Sequence, residues 1–283
     1  MTYLINNTPL EAHRAEHGLW VKREDLCCPP PGPPFSKTRG VYLHVKKRVE
    51  EGVRLFGVLD TLHSQGGLAV AHACKVLGVD CINYYPQYKA DTFGVLRPVQ
   101  VASRELGARL ESLPAGRSAV LYHQAKRQVE AEGGYMMPNA LKLSETVDET
   151  AAEVTRTLEA FPQLAYYPWL VSASSGTIAA GVTRGLVGAE GWGGTPELIV
   201  HMGYERPDMA VRKYIHDQAT TQQLNSRRVD LEIIQEGYAY KDVARPGPTP
   251  PWACNAHYDL KAYRWWMQEG RARFSTAVMW NIG

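Results

Sequence analysis

The 283-residue chain predicts an α/β fold of open, mostly parallel sheets with helices on both faces. Three observations point to it. Short apolar runs of strand length alternate with amphipathic segments long enough for helices. Glycines stand where the amphipathic segments stop, at Gly52, Gly78, Gly107 and Gly133. Two proline clusters, 29–34 and 246–251, read as irregular connections that punctuate this alternation.

In order, polar turns lead to a short strand over 19–22, and Cys27 to Pro34 form a polyproline-like loop. Val41, Val45 and Val49 recur at helical spacing up to Gly52. A buried strand over 55–61 is followed by an alanine-rich helix ending at Leu77, and a strand over 80–85 ends at Pro86. Helices follow over 99–106 and over 118–132, the second with Leu121, Ala125 and Val129 on one face. Val147, Ala151, Val154, Leu158 and Phe161 mark an amphipathic helix over 147–161. Strands over 197–202 and 230–235 flank a polar helix, a helix spans 261–270, and a last strand covers 277–281. No internal repeat is present.

Charge is nearly balanced, 31 basic against 29 acidic residues, which implies no strong field for a polyanion. Five cysteines without a framework spacing read as reduced thiols of a cytoplasmic protein. No apolar run has the length of a membrane span and no signal peptide is evident. No His/Cys cluster has metal spacing, so no metal is expected.

Two stretches carry chemistry. Lys37, in Ser36-Lys37-Thr38-Arg39, follows the proline run and opens a helix. There the dipole and free N–H groups disfavour a cation, and a desolvated lysine becomes a usable amine nucleophile. Alone, the same lysine reads as part of a basic turn with Arg39, Lys46, Lys47 and Arg48. The second stretch, Leu170 to Gly181, reads as a buried strand end, a small-residue loop and a helix. Ser174, Ser175, Gly176 and Thr177 at such a helix start form a phosphate cradle, although a plain N-cap has the same look. A nucleophilic lysine and a phosphate cradle in one chain are the two anchors of pyridoxal 5′-phosphate.

With these motifs in place, the chain resembles the fold-type II pyridoxal-phosphate enzymes, the tryptophan-synthase-β-like group. It looks nearest to the branch of aminocyclopropane-carboxylate deaminase and D-cysteine desulfhydrase. Thr8-Pro9-Leu10, Val21 to Leu26 and Ser36-Lys37-Thr38-Arg39 resemble the family's T-P-L, K-R-E-D-L and N-K-T-R. His63-Ser64-Gln65-Gly66 stands where the family has Q-S-N-H, and Ser172 to Gly181 parallels its S-G-S-G-G-T-x-A-G loop. Gly237 to Tyr240 resembles G-Y-x-Y, and Tyr258 to Ala262 resembles Y-T-G-K-A. These matches run in the family order along nearly the whole chain.

The resemblance implies two α/β domains with the cofactor in the cleft between them. The large one would be residues 1–44 with 151–283, and the small inserted one 45–150. It also implies a homodimer and assigns roles. Lys37 would carry the cofactor and shuttle a proton. Ser64 would hold the substrate carboxylate, Gln65 would flank the ring, and Tyr238, with Tyr240 on the same loop, would face the substrate. Ser174, Ser175, Gly176 and Thr177 would bind the phosphate.

The sequence departs from the pattern in places. Gly66 replaces a histidine, which should open room beside the ring for a larger substrate rimmed by residues 246–251 and Trp252. Asn281 and Ile282 stand where a closing F-x-H-T-G would supply a hydroxyl for the ring nitrogen. No carboxylate lies nearby in sequence, so the ring nitrogen is expected to be unpaired or to contact Asn281, not an acid.

Three functional readings follow. The first is a lyase or deaminase breaking a bond at or next to the α carbon of an amino-acid substrate. The second is a decarboxylase or lyase acting on an amino acid attached to a modified thymidine in viral DNA hypermodification, the one reading that involves nucleic acid. The third is a non-catalytic binding protein, against which the retained Lys37 argues.

Overall fold

Parallel strands buried on both faces need no alternation of apolar and polar residues. Strands β7 (Trp169–Ala173) and β10 (Ala277–Asn281) show none, being buried at every residue. The computed structural model describes residues 5–61, 63–87, 96–189, 195–219 and 229–283. It divides into two units: Met1–Pro29 with Pro34–Ser36 and Thr146–Gly283, and Pro30–Pro33 with Lys37–Glu145. The inserted domain was expected over 45–150; the second unit takes in the whole helix that follows Lys37.

In the first unit the sheet order is β1 (Leu10–His13), β2 (Leu19–Arg23), β10, β7, β8 (Glu197–Met202) and β9 (Asp230–Ile234). All neighbours are parallel except β1 and β2, which form an antiparallel edge around the short α1 (Arg14–His17). The two faces of β7 separate by residue parity. Trp169 and Val171 pack with α6 (Ser144–Ala160), α7 (Thr177–Gly188) and α8 (Asp208–Ala219) through Val154, Val182 and Ile215. Leu170, with Val21 and Met279, packs on the other face against Tyr263 and Trp265 of α9 (Asp259–Trp265). Beyond α9 the chain makes a π-turn over Trp266–Gly270 and the short α10 (Arg271–Arg273). Helices thus cover both faces, as the sequence predicts.

The second unit has a wholly parallel sheet, β5 (Arg109–Pro114), β4 (Asp80–Gln87), β3 (Leu55–Leu59) and β6 (Tyr135–Met136). Its helices are α2 (Thr38–Glu50), α3 (Gly66–Leu77), α4 (Pro98–Glu105) and α5 (Ser118–Ala131). Leu121, Ala125 and Val129 of α5 meet Ile82, Tyr84 and Leu113 in the core.

Three details correct the expectation. Strand β4 runs through Pro86, because β3 pairs with it only as far as Tyr84 and Pro86 has a single neighbour, Leu113. A residue without an N–H fits at such a half-open position. Phe161 lies beyond the end of α6 and is 38% exposed, so it does not extend the buried stripe. Strands β1, β5 and β6 also occupy stretches where the sequence predicts none. Among the described residues no helix is long and apolar enough to cross a membrane.

Helices α6 and α7 approach closely at glycine. A methyl at Gly185 would stand 2.5 Å from Val154 Cβ, and one at Gly181 would stand 2.4 Å from Thr150 Cβ. Gly185→Ala is therefore expected to destabilise the protein by about 1–3 kcal/mol through overpacking, measured by denaturant unfolding. A variant as stable as the parent would show that the helices separate at no cost.

Candidate active site

In open α/β sheets, ligands bind beyond the carboxyl ends of the strands. The residues singled out in the sequence lie at or beyond those ends in each unit, except Lys37, which precedes α2. In the second unit Lys37 is half-buried at the N-terminal boundary of α2, and its carbonyl accepts the first helical bond, from Val41 N–H. Its amine donates to Ala140 O at 2.8 Å. Burial, reinforced by the Lys142 cation, pushes its pKa down to about 7. Ala140 lies in the segment after β6, where Ala140 (φ 56°) and Leu141 (φ 48°) adopt the left-handed backbone. Such residues cost roughly 1–2 kcal/mol each, so packing holds the carbonyl where it is. The buried Thr38 Oγ1 has no hydrogen-bond partner among the described residues.

Beyond β3, Ser64 accepts the Gly66 N–H at 2.9 Å and is also hydrogen-bonded to Asp60. Its hydroxyl therefore already serves the loop as brace and cap. Asp60 is 3% exposed, receives the Thr61 N–H at 3.0 Å, and is pushed up to about 6 by burial. Gln65, half-buried, stands at the start of α3, and its carbonyl accepts Ala69 N–H. Sequence reasoning expected open room at Gly66. A Cβ there would instead stand 3.0 Å from Ser64 Oγ and 3.1 Å from Leu141 Cδ1, so Leu141 occupies much of that room.

In the first unit the loop after β7 passes through Ser174, Ser175 and Gly176 into α7. Gly176 has φ +87°, which L side chains rarely adopt, and a Cβ there would stand 3.0 Å from the Tyr214 ring. The first helical bond is Ala180 N–H to Gly176 O, which leaves the amides of Ile178 and Ala179 ahead of the helical ladder. Buried hydroxyls gather beside them. Ser175 Oγ and Thr177 Oγ1 are 3.0 Å apart, and Tyr214 OH lies 3.2 Å from Thr177 Oγ1. Arg206 donates to Ser174 O at 2.7 Å, and the buried Ser172 Oγ has no partner among the described residues. Tyr214 and Arg206 carry no motif in the sequence; α8 and the loop after β8 bring them here.

The tyrosines after β9 differ in placement. Tyr238 is buried, accepts Arg245 N–H at 3.3 Å, and has Arg245 and Lys261 at 4.6 Å and 4.3 Å from its ring centre. Lys261, fully buried, donates to Gly203 O, and burial lowers its pKa to about 8. It is Tyr258 that reaches the cradle, hydrogen-bonded to Ser174 and to Tyr240; burial raises its pKa.

At the end of β10, Asn281 donates to Asp25 Oδ1 at 2.8 Å and to Ala253 O at 2.9 Å, which engages both amide protons. A carboxylate from the start of α9 meets the backbone just after this strand. Asp259, fully buried, accepts the N–H groups of Ile282 and Gly283 at 3.1 and 3.0 Å. Burial, together with the Asp25 charge, pushes it up to about 7. Its signal in the sequence was the aspartate in Tyr258-Asp259-Leu260-Lys261-Ala262, where the resembled motif has threonine. Trp252, expected as a rim, is 5% exposed; its ring meets His17 and Tyr263 edge to face and His13 at a tilt.

Residues 1–234 match the pyridoxal-phosphate dependent enzyme family. The chain is a member of that family. The enzyme is 43% identical, over 99% of its own length and 99% of the other's, to a glycyl-dTMP PLP-dependent decarboxylase of Pseudomonas phage M6. In structure it is similar to an ACC deaminase homologue, with TM-score 0.77, 18% identity, and 99% and 90% of the two chains covered. It is also similar to a fungal L-serine ammonia-lyase from Rhizomucor miehei, with TM-score 0.68, 14% identity, and 99% and 93% covered. These structures share its fold. The enzyme therefore uses pyridoxal 5′-phosphate and is a lyase breaking a bond at or next to the α carbon of an amino-acid substrate.

The residues present fit that cofactor. An amine near pKa 7, helix-start amides beside Thr177, and, near the end of β7, the Ser172 Oγ without a partner among the described residues are what an aldehyde and a phosphate require. Two outcomes are expected. Thr177→Val should weaken cofactor retention by about 1.5–3 kcal/mol, the worth of a hydrogen bond to a charged group, in equilibrium dialysis against pyridoxal phosphate. Unchanged retention would make Thr177 a helix cap alone. Because the neutral amine is the reactive form, capture of pyridoxal phosphate by the apo-protein should accelerate as pH rises through about 7 and then level off, followed by visible absorbance. A rate still climbing steeply far above that pH would mean that Lys37 keeps an ordinary lysine pKa.

Proposed function

We propose that the enzyme removes the carboxylate of an amino acid attached to a thymidine nucleotide, a substrate of the glycyl-dTMP class. The observation that carries this reading is the 43% identity, sustained over 99% of both chains, to a protein named for that reaction. In it, the α-carbon–carboxylate bond breaks, carbon dioxide leaves, and one proton replaces it on the α carbon. Pyridoxal phosphate, when bound, withdraws the electron pair of the breaking bond. Lys37 would anchor the cofactor, and the loop 174–177 would hold its phosphate. An amine with pKa about 7 takes up and releases a proton near neutrality, which suits Lys37 to supply the replacing proton. The Ser64 loop, braced by Asp60, would hold the substrate before cleavage.

Holoenzyme incubated with glycyl-dTMP should yield the decarboxylated nucleotide by mass spectrometry, with carbon dioxide and without ammonia. Lys37→Ala should abolish this. Ammonia release from free aminocyclopropane-carboxylate or D-cysteine, with glycyl-dTMP left intact, would return the enzyme to deamination of free amino acids.

A further inference from the structure

A nucleotide-bearing substrate needs a surface for its base, and the first unit holds a cluster of suitable chemistry beside the cradle loop. The loop after β8 carries Tyr204, the loop after β9 carries Tyr240, and Tyr258 immediately precedes α9. The Tyr204 and Tyr240 rings meet edge to face with centroids 5.0 Å apart. Tyr258 is hydrogen-bonded to Tyr240 and to Ser174 of the cradle loop. The backbone makes way for it: a Cβ at Gly203 would stand 2.7 Å from the Tyr258 ring. All three tyrosines are half-buried, in contrast to the buried Tyr238 on the same loop as Tyr240. Arg206, two residues after Tyr204, is fastened to Ser174 O at 2.7 Å, which ties the Tyr204 loop to the cradle. The aromatic group is therefore fixed relative to the phosphate-binding loop by two separate attachments, Tyr258 and Arg206.

We propose that Tyr204 and Tyr240, held by Tyr258, form the platform on which the pyrimidine ring of the substrate stacks. This rests on the thymidine-linked reading above. Aromatic side chains bind nucleobases by stacking on their π faces, and an ordered pair of rings loses little conformational freedom on binding. The platform explains how the same cofactor chemistry is restricted to an amino acid carrying a base, without a charged specificity residue. Free glycine has nothing to place on it.

The test is titration of the holoenzyme with dTMP, which lacks the amino acid, by calorimetry. The parent should bind dTMP, and Tyr204→Ala and Tyr240→Leu should each weaken that binding, roughly 5- to 100-fold for loss of one stacked aromatic. Tyr204→Phe should retain it. The cofactor's visible absorbance and the thermal midpoint, followed in each variant, should stay at parental values. If dTMP binds and the alanine and leucine variants bind it equally well, the platform lies elsewhere and the thymidine-linked reading stands. If the parent does not bind dTMP at all but decarboxylates glycyl-dTMP, the base is not recognised by stacking and the proposal falls alone. If it neither binds dTMP nor decarboxylates glycyl-dTMP, both readings fall.

Discussion

The chemistry rests on the cost of burying a charge. A lysine amine removed from water loses the solvation of its cation, and the penalty appears as a weakened hold on the proton. At Lys37 the fold adds a second cation, Lys142, and offers the amine a neutral carbonyl, Ala140 O. A carboxylate in that place would reverse the outcome by pairing with the ammonium. The left-handed backbone at Ala140 and Leu141 thus presents a neutral carbonyl, rather than a charge, to the Lys37 amine.

Parallel topology gathers the remaining chemistry. In the first unit, β7, β8, β9, β10 and β2 end at Ser174, Tyr204, Tyr238, Asn281 and Asp25 or within a few residues of them. In the second, β3 and β6 lead to Ser64 and Ala140. A parallel sheet sends every such loop to one edge, so residues far apart in sequence become neighbours without any local signal. In each unit that edge holds a buried acid. Asp60 and Asp259 are both raised by desolvation, toward about 6 and about 7. For an acid whose folded pKa lies above its unfolded one, the folded state holds the proton more tightly. Each therefore stabilises the fold least above its raised pKa, and that loss accrues as pH climbs from the ordinary carboxylate range.

Local rules made much of this legible. The final strand, the helix opening after Lys37 and the stop at Gly78 follow from apolar runs, spacing and glycine. What stayed hidden was partnership. Nothing near Gly66 says that Leu141 will fill the space beside it, and nothing near Asn281 says that Asp25 and Ala253 will take both its protons. Trp252 looked like a rim because it follows a proline loop; its burial depends on His13, His17 and Tyr263, brought from both ends of the chain. Pro86 was read by its missing donor alone, whereas its place depends on where the neighbouring strand stops.

The Arg206 contact to Ser174 O has an electrical consequence. A peptide unit is rigid and planar, with its C=O and N–H pointing in opposite directions. A guanidinium held against the oxygen therefore fixes the direction of the Ser175 N–H on the far side. It also draws electron density toward the oxygen, leaving that hydrogen more positive. The loop thereby gains, through the Ser175 N–H, part of the attraction of an arginine for an anion. The positive end of the peptide works as a relay for that charge.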